Sequence, residues 1–227
     1  SDHGDYMGDH WMGEKDLFHD PSVRVPLIVY DPSPEADATR GTVSDALVES
    51  IDLAPTFVEM SGGDVPKHIL EGESLVPILH GGRVESARDF VICEYDYSGA
   101  PLANRLGNTV EQAQMYMVAD KRWKLIHFES GDRPMLFDLV NDPDELHDLG
   151  ESAEHVETVE QMYEKLHRWT RRVSQRVTVG HEQMLARREG KSTKGIMIGV
   201  PEAGDADPEL TVKYRGVKAK PWQDLKT

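Results

Sequence analysis

Apolar positions along the chain fall into two rhythms. Leu47, Val48, Ile51, Leu53, Ala54, Phe57, Val58 and Met60 return at three- and four-residue spacing, which predicts a helix that Ser44 or Asp45 can cap. Pro55 bends or restarts that helix, and Ser61-Gly62-Gly63 ends it. From Glu151 to Arg172 the pattern is cleaner: Val156, Val159, Met162, Leu166 and Trp169 lie on one face of a long amphipathic helix. Between the two helices, the short apolar runs Phe90 to Tyr95, Met115 to Ala119, Trp123 to Phe128 and Leu136 to Leu139 are separated by turn residues. Asp120-Lys121 links two of them as a hairpin, so the four runs predict a small antiparallel sheet.

The remaining segments are more broken. Residues 1–22 read as loop, punctuated by Gly4, Gly8, Gly13 and Pro21. Val23 to Tyr30 reads as a strand with Pro26 at an edge or strand start, Thr42-Val43 as a short strand, and Gly72 to Leu79 as a segment carrying a short helix. A further helical piece follows Gly180 to about Arg188, and from Gly190 the chain reads as an extended tail. The expected class is α/β, organised as the end of an α/β domain over residues 1–85, an α+β subdomain over 86–189, and a tail over 190–227. That tail carries Ile196, Met197, Ile198, Val200, Leu210, Val212, Tyr214 and Trp222, so it is too apolar for a pure linker.

Composition removes several function classes. At 227 residues the chain can bury a core of one domain or a domain and a half. Its longest apolar runs are strand-sized, far short of the roughly 18 residues of a membrane span, so no membrane association is expected. The net charge of −16 disfavours binding to nucleic acid across a broad surface. Residue 1 opens a polar turn and shows no signal-peptide pattern. The single cysteine, Cys93, excludes an internal disulfide and fits a reducing compartment, so the expected localisation is cytoplasmic.

Candidate chemistry concentrates at the start of the chain. Asp2 and His3 precede Gly4 on one turn, and a carboxylate beside an imidazole suits a divalent cation. The bland reading is a turn-capping Asp and a solvated His. Lys15 is a point charge able to meet an anionic oxygen, against the default of a solvated surface lysine. His10 could be a neighbouring proton donor, and Asp9, Glu14 and Asp20 could orient His3 or Lys15, although a solvated acidic loop explains them equally well. Cys93 in a strand run reads as a small buried hydrophobe, and Trp123, Trp169, Tyr95 and Tyr97 as packing residues.

The ordered set Ser1-Asp2-His3-Gly4-Asp5-Tyr6-Met7-Gly8-Asp9-His10, Lys15 and Asp20-Pro21-Ser22-Val23-Arg24-Val25-Pro26-Leu27 resembles the C-terminal half of the sulfatase family in the alkaline phosphatase superfamily. Glu94-Tyr95-Asp96-Tyr97, Arg122-Trp123-Lys124-Leu125-Ile126-His127, Leu136-Phe137-Asp138-Leu139, the stretch from Asn141 to Leu149 and the tail stretch Lys194 to Val200 are similar to the phosphonate monoester hydrolase and arylsulfatase branch. The resemblance implies an alkaline-phosphatase-like α/β core with its active site at the C-terminal ends of strands. It also implies one divalent cation (calcium or manganese, or else magnesium) held partly by Asp2 and His3, with Lys15 as a catalytic contact to the sulfuryl or phosphoryl oxygens. The implied substrate is a small anionic ester of sulfate, phosphonate or phosphate, and the tail implies a homo-oligomer, a dimer or tetramer.

One departure stands out. The family nucleophile is a formylglycine or serine within Cys/Ser-x-Pro-x-Arg, whereas Cys93 is followed by Glu94-Tyr95-Asp96. The formylglycine is therefore expected upstream of residue 1. Two other readings stay open: a non-catalytic fragment or interaction module, and another metal-dependent phosphodiesterase of the superfamily.

Overall fold

The computed structural model describes residues 1–66, 70–82, 88–171 and 186. Its organising element is a sheet of four strands, β1 (Val91–Asp96), β2 (Gln114–Ala119), β3 (Trp123–Phe128) and β4 (Met135–Asp138). They lie in chain order and pair antiparallel throughout. All four predicted strands are present, each within about a residue or two of the sequence pattern. The link between β2 and β3 is the predicted hairpin, in which the Asp120 carboxylate accepts the amides of Arg122 and Trp123 at 2.7 Å each.

Period-two alternation divides the sheet into two apolar faces. Val118, Leu125 and Leu136 pair across β2, β3 and β4 and pack beneath α5 (Val156–Thr170), which lays down Met162, Leu166 and Trp169. Each of those buried α5 side chains contributes roughly 1.5–3 kcal/mol of transfer free energy. The other face carries Met115, Met117, Ala119, Ile126 and Phe137 and is covered by Phe18, Tyr97, Ala103 and Ala113. With both faces covered, the strands read as near-continuous apolar runs. The α5 helix begins later than Glu151 because Ser152 and His155 bond to each other at 2.8 Å in a 3-10 turn over Ala153–His155.

The first part of the chain is helical or irregular. The short α1 spans Asp20–Val23, and residues 24–30 form no strand, contrary to the expectation for Val23 to Tyr30. A strand needs a hydrogen-bonded neighbour, and none of the four described strands pairs with this segment. Its Leu27, Ile28, Val29 and Tyr30 are exposed, as is Val43, where the second short strand was expected and is not formed.

The predicted helix from Asp45 is displaced. A 3-10 turn over Ser50–Asp52 leads into α2 (Leu53–Met60). The reason is Asp52, which is almost fully buried. Its carboxylate accepts the amide of Glu49 at 2.8 Å and that of Glu73 at 2.8 Å, and it takes Arg88 at 2.6 Å. It thus fixes where the helix starts, and Pro55 falls harmlessly in the first turn. The helix expected near Gly72 to Leu79 is α3 (Val76–Leu79), and α4 (Pro101–Leu106) adds one that the sequence pattern did not announce. The helical piece expected after Gly180 lies outside the described residues apart from Ala186, and so does the expected oligomer contact in the tail.

Candidate functional site

The opening segment is held against α1 by its backbone. The Gly4 amide donates to the Ser22 carbonyl at 2.7 Å. A Cβ at Gly4 would lie 1.9 Å from the Pro21 carbonyl oxygen, so only glycine permits this approach. The placement matters because Gly4 directly follows the two candidate cation ligands.

His3 Nδ1 lies 2.7 Å from the Gly4 carbonyl oxygen. A carbonyl only accepts, so Nδ1 is the donating nitrogen, and Nε2 is the one left to face outward from that bond. Nε2 lies 4.0 Å from Asp2 Oδ2. The Asp2 carboxyl sits below its ordinary value, held there by its own backbone amide and by the neighbouring imidazole. A cation requires an ionised carboxylate and an imidazole nitrogen not already engaged, and Nε2 is the ring nitrogen outside the Gly4 bond. Two donors of the right kind therefore stand together. Among the described residues no group of three or more His, Cys, Asp or Glu could hold a metal ion.

Lys15 sits in a loop with unusual backbone. Met7, His10, Trp11, Glu14 and Asp16 all have positive φ, with Glu14 at 60° and Asp16 at 97° on either side of Lys15. Such conformations cost free energy and persist only where the surroundings impose them. Tyr6, fully buried, does much of this: its amide donates to the Glu14 carbonyl at 2.7 Å, and its hydroxyl meets His19 Nδ1 at 2.9 Å. Tyr95 on β1 lies beside Asp16. Burial first, and then that carboxylate, push the Tyr95 phenol up to about 12. Asp2, His3 and Lys15 are among the many residues along one broad, open concavity that runs past β1 and β3 as far as Trp169.

Sequence reasoning missed the charged cluster beneath this loop. Lys124 on β3 is 1% exposed and turned toward the N-terminal segment. Its Nζ lies 2.6 Å from Asp20 Oδ1, 2.6 Å from Glu145 Oε1 and 3.0 Å from the Phe18 carbonyl oxygen. Glu145, itself buried, uses Oε2 to accept the Asp20 amide at 2.5 Å. Burial raises the Glu145 carboxyl above its ordinary value, against the lowering pull of Lys124. The Asp20 carboxyl would also be raised by burial, but the Lys124 ammonium and then Arg24 hold it below its ordinary value. Asp20 thus serves Lys124 and Arg24. His10 stacks on His19, ring centroids 4.0 Å apart, and burial, with His10 and Lys124 nearby, lowers the His19 imidazole to about 4. One signal for Lys124 was legible: it shares a sheet face with Ile126, which places it inside.

Known proteins resemble this chain in sequence and fold. Residues 8–172 match the family described as N-sulphoglucosamine sulphohydrolase, C-terminal. The multifunctional alkaline phosphatase superfamily protein PehA of Trinickia caryophylli is 30% identical over 173 residues, covering 74% of this chain and 33% of that protein. An arylsulfatase of Clostridium perfringens is 31% identical over 160 residues, covering 70% of this chain and 30% of that protein. The crystal structure of the phosphonate monoester hydrolase of Agrobacterium radiobacter superimposes with a TM-score of 0.67 at 32% identity, covering 74% of this chain and 33% of that one. The chain spans about a third of the length of these relatives. Motifs, fold and matches agree: the chain belongs to the N-sulphoglucosamine sulphohydrolase C-terminal family and is a C-terminal portion of the sulfatases of the alkaline phosphatase superfamily.

Proposed function

We propose that this chain supplies part of the active site of a metal-dependent hydrolase acting on small anionic esters of sulfate or of phosphonate and phosphate. The observation that carries the reading is the pairing of Asp2 and His3 on one turn, with His3 Nδ1 committed to the Gly4 carbonyl and Nε2 4.0 Å from Asp2 Oδ2. Asp2 and His3 would hold one divalent cation, calcium or manganese by their mixed oxygen and nitrogen chemistry, together with donors from outside this pair. When bound, such a cation acts as a Lewis acid on a substrate oxygen. Lys15 would contact the anionic oxygens of the transferred group, where a fixed ammonium stabilises charge as it rearranges. The nucleophile is assigned to a formylglycine elsewhere in the intact protein, because Cys93 lacks the x-Pro-x-Arg context. Relatives described as an arylsulfatase and as a phosphonate monoester hydrolase support both ester classes.

The test is Asp2→Ala in the intact protein, assayed on an aryl sulfate and an aryl phosphonate monoester, with bound metal measured in parallel. Loss of both activity and metal is expected. Full turnover with normal metal content would overturn the assignment. Metal binding without turnover in the unaltered protein would favour a non-catalytic role instead.

A further inference from the structure

We infer that Lys124 and Glu145 are positioning residues for the cation site: from the C-terminal sheet they set the placement of the segment that presents Asp2 and His3. This rests on the reading of those two residues as cation ligands.

The physical connection is short and continuous. Lys124 projects from β3, a strand fixed on both sides by its ladder partners. Its ammonium grips the chain at two points, the Phe18 carbonyl and the Asp20 carboxylate. Glu145 takes the Asp20 backbone amide from the other side. Asp20 opens α1, and α1 contributes the Ser22 carbonyl that receives the Gly4 amide. Gly4 is in turn the partner of His3 Nδ1. Five polar contacts therefore run from the sheet to the imidazole, and each is at hydrogen-bond distance.

Two features argue that this clasp does more than fill space. Glu145 has a φ of 54°, so its backbone is held in a conformation that a non-glycine residue adopts at a cost. Burying an ammonium between carboxylates is also, on average, no more stabilising than apolar packing of the same volume. A lysine at this point of an apolar strand is better accounted for by the directionality of its contacts, which locate a backbone to a fraction of an ångström where apolar packing would not. Loss of a direct hydrogen-bond partner of a cation ligand typically costs about tenfold to a hundredfold in metal affinity, and loss of residues that act through the intervening segment should cost less.

The experiment measures Mn2+ binding to the intact protein by the loss of the free-ion electron paramagnetic resonance signal, with circular dichroism as the check of folding. Glu145→Gln keeps an acceptor for the Asp20 amide but removes the charge that faces Lys124. The expected result is a folded protein with Mn2+ affinity measurably reduced, by up to about tenfold, the lower end of what a direct partner of a ligand costs. His3→Ala runs beside it and must also lower the affinity. Unchanged affinity in His3→Ala would mean that the ligand reading itself has failed, and the inference falls with it. If His3→Ala weakens binding while Glu145→Gln stays at the unaltered value, the ligand reading stands and the positioning role is overturned. If Glu145→Gln does not fold, the double variant Lys124→Met/Glu145→Met removes both buried charges together. A folded double variant with weakened Mn2+ binding supports the inference, and one with unaltered binding overturns it.

Discussion

Replacing Lys124 by Met should open the β3–β4 region of the sheet, and its size can be worked from the contacts. Two carboxylate oxygens lie 2.6 Å from Nζ. At an effective dielectric of about 20, each corresponds to roughly 6 kcal/mol of raw attraction. Burying three charged groups takes back most of that, so the net worth of the intact cluster is small. Removing only the ammonium is different, because Glu145, with a side chain 0% exposed, is left without a counter-charge. The expected loss is about 3–5 kcal/mol. Hydrogen exchange in the intact protein reads it locally: amides of β3 and β4 should exchange about two to four orders of magnitude faster near neutral pH, since about 1.4 kcal/mol is tenfold.

The sign of the pH dependence follows from the direction of the Glu145 shift. Burial already raises its carboxyl. A group raised in the folded state contributes its stability fully below its ordinary value and loses it as pH rises through the folded one. Without Lys124 the folded value moves higher still, so the penalty is greatest near neutrality and shrinks as Glu145 takes up a proton. The Asp20 carboxyl, lowered by Lys124, acts in the same direction, because its lost stabilisation is present only where it is ionised. After correction for intrinsic rates, the excess opening should therefore be smaller at about pH 5 than at about pH 7.5. Unchanged protection at neutral pH, or a penalty independent of pH, would refute the reasoning.

Three further outcomes are expected. Leu136→Ala, which truncates a fully buried side chain between β3 and α5, should destabilise the sheet by about 2–5 kcal/mol, whereas exposed Val140→Ala should stay within about 0.5 kcal/mol. The contrast is read by exchange rates of the β4 amides. Gly150→Ala would place a Cβ 2.1 Å from the Pro134 carbonyl oxygen and should cost about 1–3 kcal/mol. The signature is faster exchange at the Leu149 amide, which bonds the Leu136 carbonyl at 2.8 Å. Asp138 is lowered to about 2, chiefly by its hydrogen bonds from Arg122. Its contribution is therefore complete above the ordinary carboxylate value near 4 and is lost as pH falls from there through about 2. The thermal midpoints of the intact protein and of Asp138→Asn should accordingly converge over that interval.

What the sequence revealed and what it hid divide along one physical line. β2, β3, β4 and α5 were legible because each is specified by neighbours close in the chain, hairpin partners or a stripe within one helix, and β1 because its short apolar run is bounded by turn residues. Residues 24–30 were misread for the opposite reason. Their β-branched, apolar composition fits a strand, but a strand exists only when paired, and composition carries no information about the partner. The start of α2 was misplaced likewise, since Asp52 answers to Arg88 and Glu73, both far along the chain.

The candidate site repeats this division. Asp2, His3 and Lys15 could be singled out because their chemistry is compressed into fifteen residues. Lys124 could have been singled out as well, since alternation turns it inward and a buried ammonium demands at least one carboxylate. Its partners could not. The chain holds 41 Asp and Glu, and the two that answer the demand are Asp20, 104 residues away, and Glu145, on a turn that no periodicity marks. Only the packing of Phe18 onto the sheet face that carries Lys124 brings Asp20 within reach. The apolar contact therefore selects the ion pair, and on the positioning role proposed for Lys124 and Glu145 it also ties the candidate site to a sheet that carries none of the proposed ligands.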